Sequence, residues 1–206
     1  MKILFVNGSP NEHGCTYTAL SEVAGRLKEH SIETEILWLG KNPVAGCTAC
    51  RECLQTGKCV FDDQVNNTLE RLDEFDGLII GSPVYFAGPN GNLLSFLDRL
   101  FFSAGSRMSG KLGASVVSCR RGGATASFDR LNKYFTIRNM PIVSSKYWNM
   151  VHGNTPDEVK QDEEGMQTMR MLGENMAWLL KCIQAGRDHG VPEPNHENPV
   201  KTNFIR

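Results

Sequence analysis

The chain has almost no net charge: 22 Lys and Arg stand against 23 Asp and Glu, leaving a formal −1. Nothing here draws it to a polyanion, and no basic stripe marks a face for DNA or RNA. Long hydrophobic runs are missing as well. The N-terminal run Lys2–Val6 is far too short for a signal peptide, and no stretch approaches transmembrane length. The expectation is a cytoplasmic protein with no membrane partner. Two phosphate-binding signatures are also absent. No lysine follows Gly14, so the G-x-x-x-x-G-K-[ST] loop is not met, and there is no G-x-G-x-x-G. Neither a nucleoside triphosphate nor a Rossmann dinucleotide is indicated. With no internal repeat, low-complexity linker or second domain, the 206 residues read as one α/β domain with a full core.

What the chain has in excess is cysteine in one place. Cys47, Cys50, Cys53 and Cys59 fall within thirteen residues as C-x2-C-x2-C-x5-C, while Cys15, Cys119 and Cys182 are scattered. In a reducing compartment such a cluster serves ligation or redox chemistry better than structural disulfides. Three readings fit the loop. A [4Fe–4S] cluster takes four thiolates, though the fourth spacing is not the ferredoxin x3 followed by Pro. Zinc also takes four thiolates, but its motifs more often come as two separated pairs. Free or reversibly oxidised thiols, with ionisation favoured by Arg51 and Lys58, are the third.

Periodicity sets the frame. Short apolar runs at 2–6, 33–39, 77–81, 113–118 and 141–146 read as buried strands. Between them lie helical patterns at about 16–30, from an Asp62 or Asp63 cap through Phe75, along Leu93–Phe101, and over about 124–138. A last helix, about 157–184, carries Met166, Met169, Leu172, Met176, Leu179 and Ile183 along one stripe, read as core packing. Five strands alternating with five helices predict a doubly wound parallel sheet within residues 1–185. A polar, Pro-rich arm follows at 186–206. The cysteine loop, residues 40–61, is the one overlong connection in the body, and such loops are usually functional.

In an open α/β sheet, ligands bind beyond the carboxyl ends of the strands. Gly8-Ser9-Pro10-Asn11 through Thr18 offers hydroxyls at Ser9, Thr16 and Thr18 beside a helix N-terminus suited to phosphate; a plain helix cap is the alternative. Ser82-Pro83-Val84-Tyr85-Phe86 puts two aromatics after the third strand, to flank a planar ring or to lid the core. Cys119 to Gly123 offers Arg120 and Arg121 with the pair Gly122-Gly123, fixed cations beside close backbone approach that suit an anionic ring or a 2′-phosphate; a solvated surface pair is the alternative. His152 reads as structural.

Taken together, the Gly-Ser-Pro turn at 8–10 with Gly14-x-Thr16, the run Gly81-Ser-Pro-Val-Tyr-Phe86, Phe96-Leu97-Asp98-Arg99 and Arg121-Gly122-Gly123 resemble the NADPH-dependent FMN reductase family. The four-cysteine loop is similar to that of its iron–sulfur flavoprotein branch. The resemblance spans roughly residues 1–155. It implies a flavodoxin-like fold with strand order 2-1-3-4-5 and noncovalent FMN. It places Ser9, Asn11, Cys15, Thr16 and Thr18 around the FMN phosphate. Pro83, Val84, Tyr85 and Phe86 would border the flavin ring, with Ser118, Arg120, Arg121, Gly122 and Gly123 on its other side. Two positions depart from the pattern: many members have Arg where Asn11 stands and Asn where Cys15 stands.

The expected function is an NAD(P)H oxidoreductase in which hydride passes to FMN and electrons leave to a quinone, flavin, metal or iron–sulfur acceptor. Tyr85 and Arg121 are the expected flavin-tuning side chains, with no obligate catalytic acid. Alternatives are a ferredoxin-linked electron carrier and a redox-responsive binding module acting through the cysteine loop. A homodimer or homotetramer is expected.

Overall fold

The computed structural model describes residues 1–198, 200, 202 and 204. The chain opens with β1 (Lys2–Asn7), α1 (Cys15–Glu29) and β2 (Glu33–Trp38). The cysteine loop follows and contains the single turn α2 (Cys53–Thr56); then come α3 (Gln64–Glu70) and β3 (Gly77–Tyr85). A two-residue strand, β4 (Gly88–Pro89), precedes α4 (Gly91–Ala104), β5 (Leu112–Cys119) and α5 (Ala124–Ile137). The chain continues through β6 (Met150–His152), α6 (Pro156–Gln161) and α7 (Glu163–Asp188).

The parallel strands lie in the order β2-β1-β3-β5-β6, while β4 folds back antiparallel on β3. Leaving the β4 hairpin aside, this is the expected order 2-1-3-4-5. Alternation along the strands divides the core. Leu4, Val6, Leu78, Ile80 and Val117 pack with α3, α4 and α5; Ile3, Phe5, Ile79, Ala114 and Val116 pack with α1 and α7. The methionine stripe of α7 is interior: Met169 and Met176 are fully buried and Met166 nearly so. The chain turns opposite ways from β1, to β2 on one side and β3 on the other. That switch point opens a crevice at their carboxyl ends.

Three boundaries differ from the periodic pattern. The fifth strand does not run over 141–146. Only Ile142 bridges Gly113, and pairing with β5 resumes at Met150. Between them Ser145 donates to the Tyr147 carbonyl and to Asn149 Oδ1, at 2.7 Å each. These side-chain bonds stabilise a turn that interrupts the ladder. The last helix is broken at Asp162, which caps α7 by accepting from Gly165 N–H at 2.9 Å and also accepts the backbone N–H of His152 at 2.7 Å. The helix from the Asp63 cap is α-helical only to Glu70 and ends in a 3-10 turn, Leu72–Glu74. α7 itself runs on through Asp188, and residues 191–198 beyond it have no regular structure. The remainder of the expected arm, residues 199, 201, 203, 205 and 206, lies outside the described residues.

Candidate functional site

Asn7, buried at the end of β1, organises the first turn. Its Oδ1 accepts the Ser9 N–H at 3.0 Å and its Nδ2 donates to the Glu12 carbonyl at 2.9 Å. Ser9 is buried too, with Oγ accepting the Asn11 N–H at 3.1 Å and its carbonyl accepting from Trp38 Nε1 at 2.8 Å. The helix α1 then starts at Gly14 with no side-chain cap and no acidic residue in its first turn. Its leading N–H groups and positive dipole end are thus left to an anion. Two of the expected hydroxyls are engaged elsewhere. Thr16, fully buried, pairs with Ser118 Oγ at 2.8 Å, and Thr18 donates to the Gly14 carbonyl at 3.2 Å. The Cys15 thiol lies 3.7 Å from the Gly153 carbonyl, and burial pushes its pKa up. The groups this turn offers to an anion are the leading amides of α1 and the Ser9 hydroxyl.

The second element is the β3–β4 hairpin. Phe86 (φ 49°) and Ala87 (φ 58°) occupy its two central positions, both left-handed, in a type I′ geometry that ordinarily takes Asn and Gly. Phe86 is fully exposed and Tyr85 half so, hence no packing of Phe86 offsets the strain. Support comes from below. At Gly123 (φ +92°) any Cβ would stand 2.7 Å from Ala87 Cα and 2.9 Å from Val84 Cγ1. Only glycine lets the β5–α5 loop meet the hairpin there. Ser82 Oγ accepts the Asn90 N–H at 2.9 Å, tying the hairpin's return to the start of α4.

The structure therefore joins three of the expected loops into one edge. Gly8 N–H bonds the Gly81 carbonyl at 2.9 Å, Thr16 meets Ser118, and Gly123 meets Ala87. Arg120, Arg121 and Gly122 are exposed at the same edge. Cys119 beside them is buried, and burial raises its thiol pKa. The His152 ring is half-exposed, with Nδ1 3.6 Å from Asp162 Oδ2. Sequence reading missed Trp38 and Asn7. Their signal was a polar or indole-bearing residue at the last position of an apolar strand.

The cysteine loop forms a separate site. Cys47, Cys50, Cys53 and Cys59 all line one pocket with Arg51, Arg99 and Phe61, and no Asp or Glu lines it. All seven cysteines of the chain are free. Asn92 of α4 pins the loop's start, accepting from Val44 N–H at 3.0 Å and donating to the Asn42 carbonyl at 2.8 Å. Asn66 of α3 pins its end, accepting the Cys59 N–H at 2.8 Å and donating to the Cys59 and Phe61 carbonyls. Ala49 (φ 55°) and Arg51 (φ 64°) are left-handed, with Glu52 in the right-handed helical region. A left-handed residue followed by a right-handed one, as at Arg51 and Glu52, is the backbone pattern of a nest, a recurrent anion and iron–sulfur cradle. Among the described residues no three Cys, His, Asp or Glu side chains converge on one ion.

Residues 1–155 match the family model described as NADPH-dependent FMN reductase. The chain belongs to that family. It is 32% identical over 192 residues to an iron–sulfur flavoprotein of Methanocaldococcus jannaschii, covering 89% of this chain and all of that protein. Among solved structures it is similar to RosB bound to 8-demethyl-8-formylriboflavin-5'-phosphate, with TM-score 0.70 and 15% identity over all of this chain and 94% of the other. An archaeal flavodoxin superposes with TM-score 0.60 and 14% identity over 88% of this chain and 99% of its own. The last two likenesses establish the flavodoxin-like fold. As a member of this family, the chain presents donor chemistry that fits a flavin phosphate: an uncapped helix start, a buried serine and no acidic residue in the first turn. The cysteine pocket fits an anionic cluster, through its four thiols, two cations and lack of carboxylates. Among the described residues no helix is long and apolar enough to cross a membrane.

Proposed function

We propose that the chain is an FMN-dependent oxidoreductase that draws electrons from NAD(P)H, with an iron–sulfur cluster held by Cys47, Cys50, Cys53 and Cys59. The observation that carries this reading is one carboxylate-free pocket lined by all four loop thiols in a chain with an FMN reductase edge. FMN, when bound, supplies the two-electron chemistry that links a nicotinamide to one-electron acceptors. The protein's part is position and electrostatics. The leading amides of α1, with Ser9 and Asn11, hold the phosphate, while Thr16 acts indirectly by bracing Ser118. Pro83, Val84, Tyr85 and Phe86 border the ring on one side and Gly122-Gly123 on the other. Arg120 and Arg121, exposed cations at that edge, balance negative charge on the reduced cofactor.

The pocket is lined by Arg99, Phe102 and Ser103, eight to twelve residues along α4 from its start beside the hairpin, or about 12–18 Å at 1.5 Å per residue. The cysteine loop thus sits to the side of the flavin edge, and electrons pass between copies in this reading. The exposed aromatics Phe86, Tyr147 and Trp148 favour a dimer or tetramer, in which a flavin edge meets a neighbour. Free thiols and cluster chemistry favour the cytoplasm.

The test is anaerobic titration of purified protein with NADH and with NADPH, following the visible flavin absorbance. Bleaching by either supports the reading, and no bleaching by both overturns the nicotinamide step. A second reading is that a redox protein such as a ferredoxin supplies the electrons instead. Bleaching by reduced ferredoxin alone would select it. Light scattering that reports a monomer at micromolar concentration would overturn transfer between copies.

A further inference from the structure

Arg99 stands on the apolar face of α4 among Phe96, Leu97 and Leu100, and is only 1% exposed. A guanidinium buried there is costly unless every donor is satisfied. All five of its N–H groups have acceptors. Nη1 donates to Asp63 Oδ2 at 2.6 Å and to the Ala45 carbonyl at 3.3 Å. Nη2 donates to Asp63 Oδ1 at 2.8 Å and to the Phe61 carbonyl at 3.2 Å. Nε donates to Cys59 Sγ at 3.1 Å. The guanidinium also lies 4.9 Å from the centre of the Phe61 ring.

Two features separate this from a mere buried ion pair. The carbonyls of Ala45 and Phe61 flank the whole Cys47–Cys59 segment, so one side chain clasps both ends of the loop. The fifth donor is aimed at sulfur, a weak acceptor when it is a neutral thiol and a far better one as an anionic ligand. Among the described residues Cys59 is the one loop cysteine whose sulfur receives a side-chain N–H. Hydrogen bonds to cluster sulfurs, and a cation beside them, stabilise the more negative reduced form and raise the potential.

We propose that Arg99 is the positioning residue of the cysteine pocket, closing the loop around its ligand and holding Cys59 Sγ so that the bound cluster has a raised reduction potential. This rests on the cluster reading above. Its test uses full-length protein purified anaerobically: wild type, Arg99→Lys, Arg99→Gln and, as a control, Arg170→Gln, whose side chain pairs with Glu22 on the opposite face of the sheet. Iron, acid-labile sulfide and FMN are counted per chain, and the cluster's midpoint potential is measured by spectroelectrochemistry. The Arg99 variants should retain FMN and lose iron to roughly 10- to 100-fold less chelator, in line with other ligand-orienting partners. Their remaining cluster should titrate at a more negative potential, with Arg170→Gln close to wild type. Wild-type iron retention and potential in Arg99→Lys would overturn the role of Arg99 alone. Wild type without iron and sulfide would overturn the cluster reading beneath it. If the Arg99 variants do not fold, ¹⁵N-arginine labelling in the Arg51→Gln background decides. Pulse EPR of the reduced cluster should show a nitrogen coupling that changes with the isotope, and its absence would refute the proposal.

Discussion

Thr16 Oγ1 and Ser118 Oγ face one another at 2.8 Å in the interior, joining the first turn of α1 to the end of β5. The pair locks two of the three loops that meet beyond the carboxyl ends of the strands. Thr16→Val would leave the Ser118 hydroxyl buried without this partner, at a cost of about 1–3 kcal/mol. Adding Ser118→Ala should recover part of that loss, because both polar groups are then gone. Urea unfolding of the two single variants and the double variant measures the coupling. Strict additivity would contradict it.

Gly123 is required by both its left-handed φ and the 2.7 Å approach of Ala87 Cα. Gly123→Ala should lower stability by about 1–3 kcal/mol and weaken FMN binding, since the hairpin must retreat. Gly122→Ala, with no protein atom within 4 Å of the added methyl group, should be close to neutral in stability. Equal effects at the two positions would sink the contact argument.

At Phe86 stability and binding should move in opposite directions. Its φ of 49° suits glycine and its ring is fully exposed. Phe86→Gly should therefore raise unfolding stability by about 1 kcal/mol. If the ring borders the flavin, FMN affinity falls in the same variant. Fluorescence titration of FMN, paired with thermal unfolding, reads both.

At the other end of the sheet Glu35 is gripped by Arg71 through two 2.7 Å bonds and by Lys2 at 3.0 Å. These hold its carboxyl down at about 2, against an ordinary 4.5, the Arg71 bonds acting most strongly. A carboxylate depressed in the folded state stabilises above its unfolded pKa and loses that contribution as pH falls through the folded one. Glu35→Gln should cost about 1 kcal/mol at pH 7, kept small by partial exposure. The difference from wild type should shrink between pH 5 and pH 2. A gap independent of pH would contradict the assignment.

Much of the site was legible in the chain because local chemistry writes it locally. Gly14 ahead of α1, Ser82-Pro83 at the end of a β-run and four cysteines in thirteen residues each mark their own place. The alternation of apolar runs likewise determined a doubly wound parallel sheet, since a strand of period two and a helix of period 3.6 each announce their own kind. Residues far apart in the chain are another matter. Nothing near Thr16 indicates that its hydroxyl is engaged by Ser118, 102 residues on. The fifth strand's interruption was hidden for the same reason: the Ser145 and Asn149 side chains outcompete a ladder whose partner strand lies elsewhere. So the sequence by itself determined the fold class, the family and the presence of a four-thiol loop. Tertiary structure alone decided that these thiols line one pocket, and that a helical arginine forty residues beyond Cys59 closes it. The physical reason is that a buried charge must find its acceptors wherever packing brings them.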